Sequence, residues 1–138
     1  MNLKDYVINN YRNGYNCAES MFRGANEYYN LDLGADYLKL ACGFGKGMSA
    51  LSACGVITGS VMLLSYKFGR DDISAKSRAN VLAKEFTMQF KEKTSCSLDC
   101  KDLLKFRDKD KGCAFVLETG CDILENIVSA EELRVVAV

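Results

Sequence analysis

The residues of this sequence that are best suited to chemistry are its cysteines, of which there are seven among 138 residues. Histidine is absent, which excludes catalytic triads, histidine-ligated zinc and imidazole proton shuttles. No two cysteines have the Cys-x-x-Cys spacing that is typical of zinc ribbons and thioredoxin-like sites. The chemistry that remains is disulfide exchange, or ligation of a metal by thiolates from separate parts of the chain.

Three of the cysteines fall where the sequence predicts the start of a helix. Cys17 follows Asn16, a favourable N-cap, while Cys100 and Cys113 each stand in the first turn of a predicted helix. Because the partial positive charge at a helix N-terminus stabilises a thiolate, these positions favour reactive or metal-binding cysteines. The alternative is that small residues simply pack well at helix entries. Cys54 is predicted to lie one turn inside the helix of an uncharged segment, where burial is expected to raise its pKa unless another cysteine or a metal meets it.

The elements that must position these cysteines are predicted to be helices. Apolar residues recur at helical spacing, and no convincing alternation typical of strands is present. We therefore expect an all-α fold, a compact bundle of about five to seven helices in a single domain that covers residues 1–138. Helical patterns cover residues 3–13, 17–30, 35–42, 47–66, 73–93, 97–106 and 113–128. The predicted N-caps are Asn16, Ser49 and Asp72. A capping box at 129–132 is followed by an apolar tail.

The segment 47–66 contains no charged residue, which raises the question of a membrane span. Serine, threonine and glycine dilute it, so a helix surrounded by other helices is the better interpretation, and we expect no membrane span. Gly55 and Gly59 share one helical face on which another backbone can approach closely. A small bundle with such a face is expected to form a homodimer.

Composition and charge limit the partners and the compartment. Basic and acidic residues balance at 18 each, so a protein that binds nucleic acid through its charge is not expected. The N-terminus begins directly with an amphipathic pattern rather than a signal peptide, and we expect a reducing cytoplasm. The glycine-rich segment 43–47 completes neither a dinucleotide motif nor a P-loop. It is interpreted as a tight helix–helix connection, or as a turn that binds an anion with its amides and Lys46.

Six short motifs follow one another along most of the chain. They are GYNCAE (14–19), GFGKGM (43–48), CGVITG (54–59), YKFGRDD (66–72), CKDLL (100–104) and CAFV (113–116). In this order they resemble the redox-active C-GCAxxG-C-C family. The resemblance implies that the family's four cysteines are Cys17, Cys54, Cys100 and Cys113, and that Cys42, Cys96 and Cys121 are extras. The sequence departs from the family at Val56, where alanine is usual, and at Ala114, where proline is expected.

The resemblance implies a redox protein, and three functions remain open for the four cysteines of the motifs. In the first, they perform thiol–disulfide exchange with a redox partner protein or a small thiol, with Cys17 attacking and Cys54 resolving, or they hold an iron–sulfur cluster or zinc. In the second, the same sulfurs form a non-catalytic metal site. In the third, the cysteines are mainly core residues, and the chain is a helical interaction protein with the Gly55/Gly59 face and the 133–138 tail as interfaces.

Overall fold

The structure is a computed structural model that describes residues 1–95 and 97–136. These ranges contain α-helices and short 3₁₀ turns, and no strand is formed within them. Their seven α-helices are α1 (Leu3–Arg12), α2 (Cys17–Tyr28), α3 (Ala35–Leu38), α4 (Gly55–Phe68), α5 (Arg78–Thr94), α6 (Cys100–Leu103) and α7 (Ala114–Val136). The predicted all-α single domain is confirmed.

The core lies between the five longer helices. Helix α2 packs against α1 and α4, α5 packs against α4, and α7 closes the bundle by contacting α1, α4 and α5. The largest fully buried side chains come from all five: Leu3, Val7, Met21, Val56, Leu63, Leu64, Phe86, Phe90, Leu117, Ile123, Leu124 and Val128. Because burial of apolar surface is the dominant favourable term in folding, these helices form the frame that carries the short helices and the turns.

Local sequence signals fix the starts of α1 and α2. The Asn2 side chain accepts a hydrogen bond from the Asp5 backbone N–H, and the Asp5 carboxylate accepts one from the Asn2 backbone N–H, both at 2.9 Å. Asn16 and Glu19 form the same reciprocal pair, at 2.9 and 3.0 Å. Because these capping boxes satisfy amide groups that would otherwise lack partners, α2 begins immediately after Asn16, as predicted.

Helix α4 begins at Gly55, and the prediction of a helix that starts near Ser49 is wrong. Met48, Ser49 and Leu51 have φ values of 59°, 60° and 57°, and such left-handed backbone is incompatible with a continuous right-handed helix. The uncharged segment therefore divides into an irregular turn and a helix. None of the helices in the part of the chain that the structure describes is long and apolar enough to cross a membrane.

The glycine face of α4 packs against α2 of the same chain. A Cβ atom at Gly59 would lie 2.5 Å from the Ala18 carbonyl oxygen, and one at Gly55 would lie 3.0 Å from the Ala18 nitrogen. The predicted close approach of another backbone is therefore present, and that backbone belongs to an internal helix. The interpretation of this face as an interface with another molecule is wrong, because α2 covers it.

Two further helix boundaries differ from the prediction. Helix α5 begins after Ser77, whose hydroxyl caps its first turn. Asp72, the predicted N-cap, instead accepts a hydrogen bond from the Ser74 backbone N–H at 2.9 Å and closes a turn. Helix α7 continues to Val136 through residues 129–132, where the sequence predicts a new cap.

The apolar tail forms the last part of α7. Leu133, Val135 and Val136 are 71%, 58% and 83% exposed, and residues 137–138 lie outside the described ranges. Exposed apolar side chains on one segment are typical of an interaction surface, so the role of the tail as an interface stays a prediction.

Candidate functional site

Four cysteines line one cavity of about 210 Å³ between the helices, and they are Cys17, Cys54, Cys100 and Cys113. Its other walls are mostly apolar and come from Leu51, Gly55, Val56, Leu103, Leu104 and Val116, with Tyr11, Asn16, Lys46 and Arg107 supplying polar groups. The structure thus brings together all of the cysteines that the resemblance selects, although they are up to 96 positions apart in the sequence.

A short antiparallel backbone contact joins Cys54 to Cys100. The Cys54 backbone N–H donates to the Leu98 carbonyl oxygen at 2.9 Å, and the Cys100 backbone N–H donates to the Ser52 carbonyl oxygen at 2.6 Å. Between these two hydrogen bonds, Ala53 and Asp99 form an isolated antiparallel β-bridge. These bonds hold the start of α4 beside the start of α6, and with them the two thiols.

Tyr11 connects Cys113 to the first helix. The Cys113 backbone N–H donates to the Tyr11 hydroxyl oxygen at 3.0 Å, across 102 positions of sequence. Gly112 has a φ of +59°, and a Cβ atom there would meet the same hydroxyl oxygen at 2.3 Å. Glycine is therefore favoured at this position by both its backbone conformation and the close approach of Tyr11.

All four cysteines of the cavity stand at the N-terminal end of a helix. Cys17 and Cys100 are the first residues of α2 and α6, and Cys113 directly precedes α7. These three placements agree with the prediction. Cys54 directly precedes α4 as its N-cap, and the prediction that it lies one turn inside the helix is wrong. Because helix N-termini carry partial positive charge, the helix starts that meet at the cavity stabilise a thiolate there.

Cys113 is the acidic thiol of the cavity. A hydrogen bond from the Cys17 thiol, a second from the Tyr11 hydroxyl and the positive charge of Arg107 lower its pKa to about 6, against the opposing effect of partial burial. The same contact with Cys113, together with burial, raises the pKa of Cys17 well above its usual range. The two shifts run in opposite directions, so Cys113 is the more acidic thiol of the pair.

The other two cysteines of the cavity are held as neutral thiols. Burial raises the pKa of Cys54 to about 11, although the backbone N–H groups of Val56 and Ile57 act in the opposite direction. The pKa of Cys100 is also raised, first by burial and then by the charge of Cys113. The expectation of a raised pKa at Cys54 agrees with this environment.

The sequence analysis missed two polar residues of the site. Tyr11 fits the apolar stripe of the first helix and gives no sign that its hydroxyl reaches Cys113. Arg107 lies in the charged stretch 105–111, which is typical of a solvated loop. The clue available for Arg107 was its position six residues before Cys113 in a loop that returns to the site. For Tyr11 the sequence contains no local signal.

The cavity does not fit a preformed metal centre. Within residues 1–95 and 97–136, no group of three or more cysteine, aspartate or glutamate side chains is placed so that it could hold a metal ion. A tetrahedral thiolate site requires four sulfurs at equal distances from one point.

Of the three extra cysteines, Cys42 and Cys121 do not line the cavity. Cys42 is exposed, and its carbonyl oxygen accepts a hydrogen bond from the Asn16 side chain at 3.0 Å. Cys121 is buried in the core, 3.9 Å from the Met21 sulfur, and burial raises its pKa to about 12. Cys96 lies outside the described residues.

Comparison with known protein families gives a match over most of the chain. The family described as "Putative redox-active protein (C_GCAxxG_C_C)" matches residues 15–127 of the chain. This range contains the four cysteines of the cavity and most of the helical bundle. No curated protein and no solved structure matches the chain significantly.

Proposed function

Because the chain belongs to the C-GCAxxG-C-C family, we propose that Cys113 and Cys17 form a thiol–disulfide exchange pair. The observation that carries this proposal is that both thiols line one cavity, and the opposite directions of their pKa shifts make Cys113 the more acidic of the two. Thiol–disulfide exchange needs a thiolate to attack and a second thiol to resolve the mixed disulfide. The pair supplies both groups in one cavity.

The first step is attack by the Cys113 thiolate on one sulfur of a substrate disulfide. The substrate S–S bond breaks, one substrate thiolate leaves and takes a proton from water, and Cys113 becomes part of a mixed disulfide. This step removes the negative charge from Cys113. Because that charge is among the causes that raise the pKa of Cys17, its loss makes Cys17 easier to deprotonate.

The second step is attack by Cys17 on the sulfur of Cys113. Cys17 loses its proton to water, a Cys17–Cys113 disulfide forms and the second substrate thiolate leaves. In total, two protein thiols are oxidised by two electrons and one substrate disulfide is reduced to two thiols. The reverse sequence oxidises a substrate dithiol, so the direction depends on the relative reduction potentials.

The test uses 4,4′-dithiodipyridine, a neutral disulfide, with single serine variants. We expect Cys113→Ser to slow the fastest thiol reaction at pH 6 by at least about tenfold, because a thiol of ordinary pKa is almost fully protonated there. Cys17→Ser should still react and should accumulate the mixed disulfide on Cys113, which mass spectrometry detects. Cys42→Ser, which changes an exposed cysteine outside the cavity, should leave the rate unchanged.

Three other outcomes would contradict the proposal. If Cys17→Ser is the slow variant and Cys113→Ser traps the mixed disulfide, Cys17 attacks, as the sequence analysis expects. If Cys54→Ser rather than Cys17→Ser accumulates the mixed disulfide, Cys54 is the resolving residue. Equal rates in all four variants would overturn thiol exchange at this cavity altogether.

Metal binding by the same sulfurs is the second candidate, and the observation in its favour is that four thiols line one small cavity. Metal binding requires the cysteine side chains to move from the positions that they have in the structure. Metal and acid-labile sulfide should be measured on protein purified without oxygen. Iron with sulfide, or one zinc per chain that is lost in Cys17→Ser or Cys54→Ser, would favour a metal centre over the exchange pair.

A further inference from the structure

A second, polar cleft adjoins the cysteine cavity. Its volume is about 720 Å³, which is within the range of small-molecule sites. Tyr11, Asn16, Lys46 and Arg107 line both spaces, so the cleft lies next to the reactive sulfurs. A molecule that is bound in the cleft is therefore close to the cavity that contains Cys113.

The cleft carries excess positive charge although the whole chain is neutral. Five basic and three acidic side chains line it: Arg12, Lys46, Arg107, Lys109, Lys111, Asp108, Asp110 and Glu118. Among the described residues, no ion pair joins any of these five basic side chains to a carboxylate. The Asp108 carboxylate already accepts hydrogen bonds from the backbone N–H groups of Asp110 and Lys111, at 2.7 and 2.9 Å. The cleft therefore favours a ligand that carries negative charge.

We propose that the substrate is a small anionic disulfide whose carboxylates bind in this polar cleft, an inference that rests on the exchange function proposed above. Lys46 and Arg107 line the boundary of the two spaces and bind the carboxylate nearest to the reacting sulfur. Arg12 lines the cleft alone and adds attraction for a second carboxylate. One interpretation of the glycine-rich segment, that Lys46 binds an anion, is consistent with this arrangement.

The reaction balances with the substrate as the oxidant. One substrate sulfur enters the cysteine cavity, where the Cys113 thiolate attacks it and the first anionic thiol leaves. Cys17 then attacks the sulfur of Cys113, and the second anionic thiol leaves. The protein gains one disulfide, and the substrate gains two electrons and two protons.

The test compares three disulfides of similar size but different charge, and each rate is divided by the rate of the same disulfide with 2-mercaptoethanol, because the leaving thiols differ in pKa. These are 3,3′-dithiodipropionate, which is anionic, bis(2-hydroxyethyl) disulfide, which is neutral, and cystamine, which is cationic. The second-order rate constant of Cys113 is measured for each with the full-length protein at low salt. We expect the anionic disulfide to react about five- to tenfold faster than the neutral one, and the cationic disulfide to be slowest. Added salt should reduce these differences.

A matched pair of variants assigns the selectivity to the cleft. Arg12→Gln/Lys46→Gln removes two positive charges from the cleft, and the ratio of the anionic to the neutral rate should fall to about one. Lys84→Gln/Lys91→Gln removes the same charge from the exposed surface of α5, which does not line the cleft, and should keep the ratio of the wild type.

The outcomes separate this inference from the proposed function. Equal rates for the three disulfides, with Cys113 still reactive, would overturn the anionic substrate while exchange stands. A ratio that falls equally in both double variants would also overturn it, since net charge alone would then explain the preference. If Cys113 fails to react even with the neutral disulfide, the exchange function fails and the substrate class fails with it.

Discussion

The Tyr11 hydroxyl group makes two contacts with Cys113. Its oxygen accepts the hydrogen bond of the Cys113 backbone N–H, and its own hydrogen bond to the Cys113 sulfur lowers the pKa of that thiol. The hydroxyl thus fixes the backbone and stabilises the thiolate with one group. The contact with Cys17 has the larger effect on the pKa, and Tyr11 adds to it.

Tyr11→Phe should therefore raise the pKa of Cys113 above its value of about 6. A hydrogen bond to a charged group contributes about 1.5 kcal/mol, so we expect an increase of about one pKa unit. The measurement is the rate of alkylation by iodoacetamide between pH 5 and 9, with the modified cysteine identified by mass spectrometry. The midpoint should move to higher pH because the thiolate is less stable without its donor.

Tyr28→Phe is the control for this change. The Tyr28 hydroxyl donates to the Glu125 carboxylate at 2.8 Å, and Tyr28 does not line the cysteine cavity. Its removal should leave the alkylation midpoint at the value of the wild type. An unchanged midpoint in Tyr11→Phe would show that the hydroxyl does not stabilise the thiolate.

At this scale, spacing and motifs identified the cysteines of the cavity but not the proton distribution among them. Cys17 and Cys113 both stand at helix starts, and a sequence pattern assigns them similar reactivity. The difference arises because contacts from Cys17 and Tyr11 and the charge of Arg107 lower the pKa of Cys113, while the contact with Cys113 raises the pKa of Cys17. These contacts join distant parts of the chain, so local patterns do not predict them.

The contact between α2 and α4 sets the position of Cys17 relative to Cys54. Gly59 lies so close to Ala18 that a Cβ atom would be 2.5 Å from its carbonyl oxygen. Gly59→Ala should therefore push α2 away from α4. Overpacking of this kind costs about 1–3 kcal/mol of unfolding free energy, which urea denaturation measures. Because Cys17 is the residue before Ala18, the variant should also raise the pKa of Cys113.

Gly43→Ala is the matched control for the glycine contact. A Cβ atom at Gly43 meets nothing within 4 Å, and its φ is not in the left-handed region. The same chemical change should therefore leave the unfolding free energy within about 0.5 kcal/mol of the wild type. Equal stabilities of the two variants would contradict the close approach of the helices.

At the scale of elements, the sequence predicted α2 correctly and two other helix starts wrongly. The capping box of Asn16 and Glu19 is formed by residues that are close in sequence, so the sequence alone predicts it. The start of α4 depends on the left-handed backbone at Met48 and on pairing of the following residues with 98–100, which is a non-local contact. The apolar composition of 47–66 contains no sign of either.

At the scale of the whole molecule, α7 connects the cysteine cavity to an ion network near its other end. The Glu131 side chain is 4% exposed and accepts hydrogen bonds from Arg78 of α5, at 2.6 and 3.0 Å, and from Arg134, at 2.9 and 3.0 Å. About 17 residues of helix separate it from the start of α7, which corresponds to about 26 Å. The network therefore holds α5 to α7 at a distance from the reactive thiols.

Glu131→Gln should make stability depend less on pH. Hydrogen bonds from both arginines lower the pKa of Glu131 to about 2, so its ionised form stabilises the fold above its unfolded pKa of about 4.5, and this contribution disappears as the pH falls toward 2. Because Arg78 and Arg134 are 39% and 53% exposed, solvent screens the pair. We expect a loss of about 1–2 kcal/mol at pH 7.

The measurement is urea unfolding of the wild type and the variant from pH 7 down to pH 2.5. The difference between them should be constant above about pH 5 and should shrink steadily below it, because the wild type then gains the proton that glutamine mimics. Glu92→Gln, at an exposed position of α5 without an ion pair in the described residues, should show little difference at any pH. A difference that persists unchanged at pH 2.5 would assign the effect of Glu131→Gln to packing rather than charge.

Since the network is remote from the cavity, the alkylation midpoint of Cys113 should not move in Glu131→Gln. A shift of that midpoint would mean that α7 transmits the effect of the lost ion pairs to the thiols.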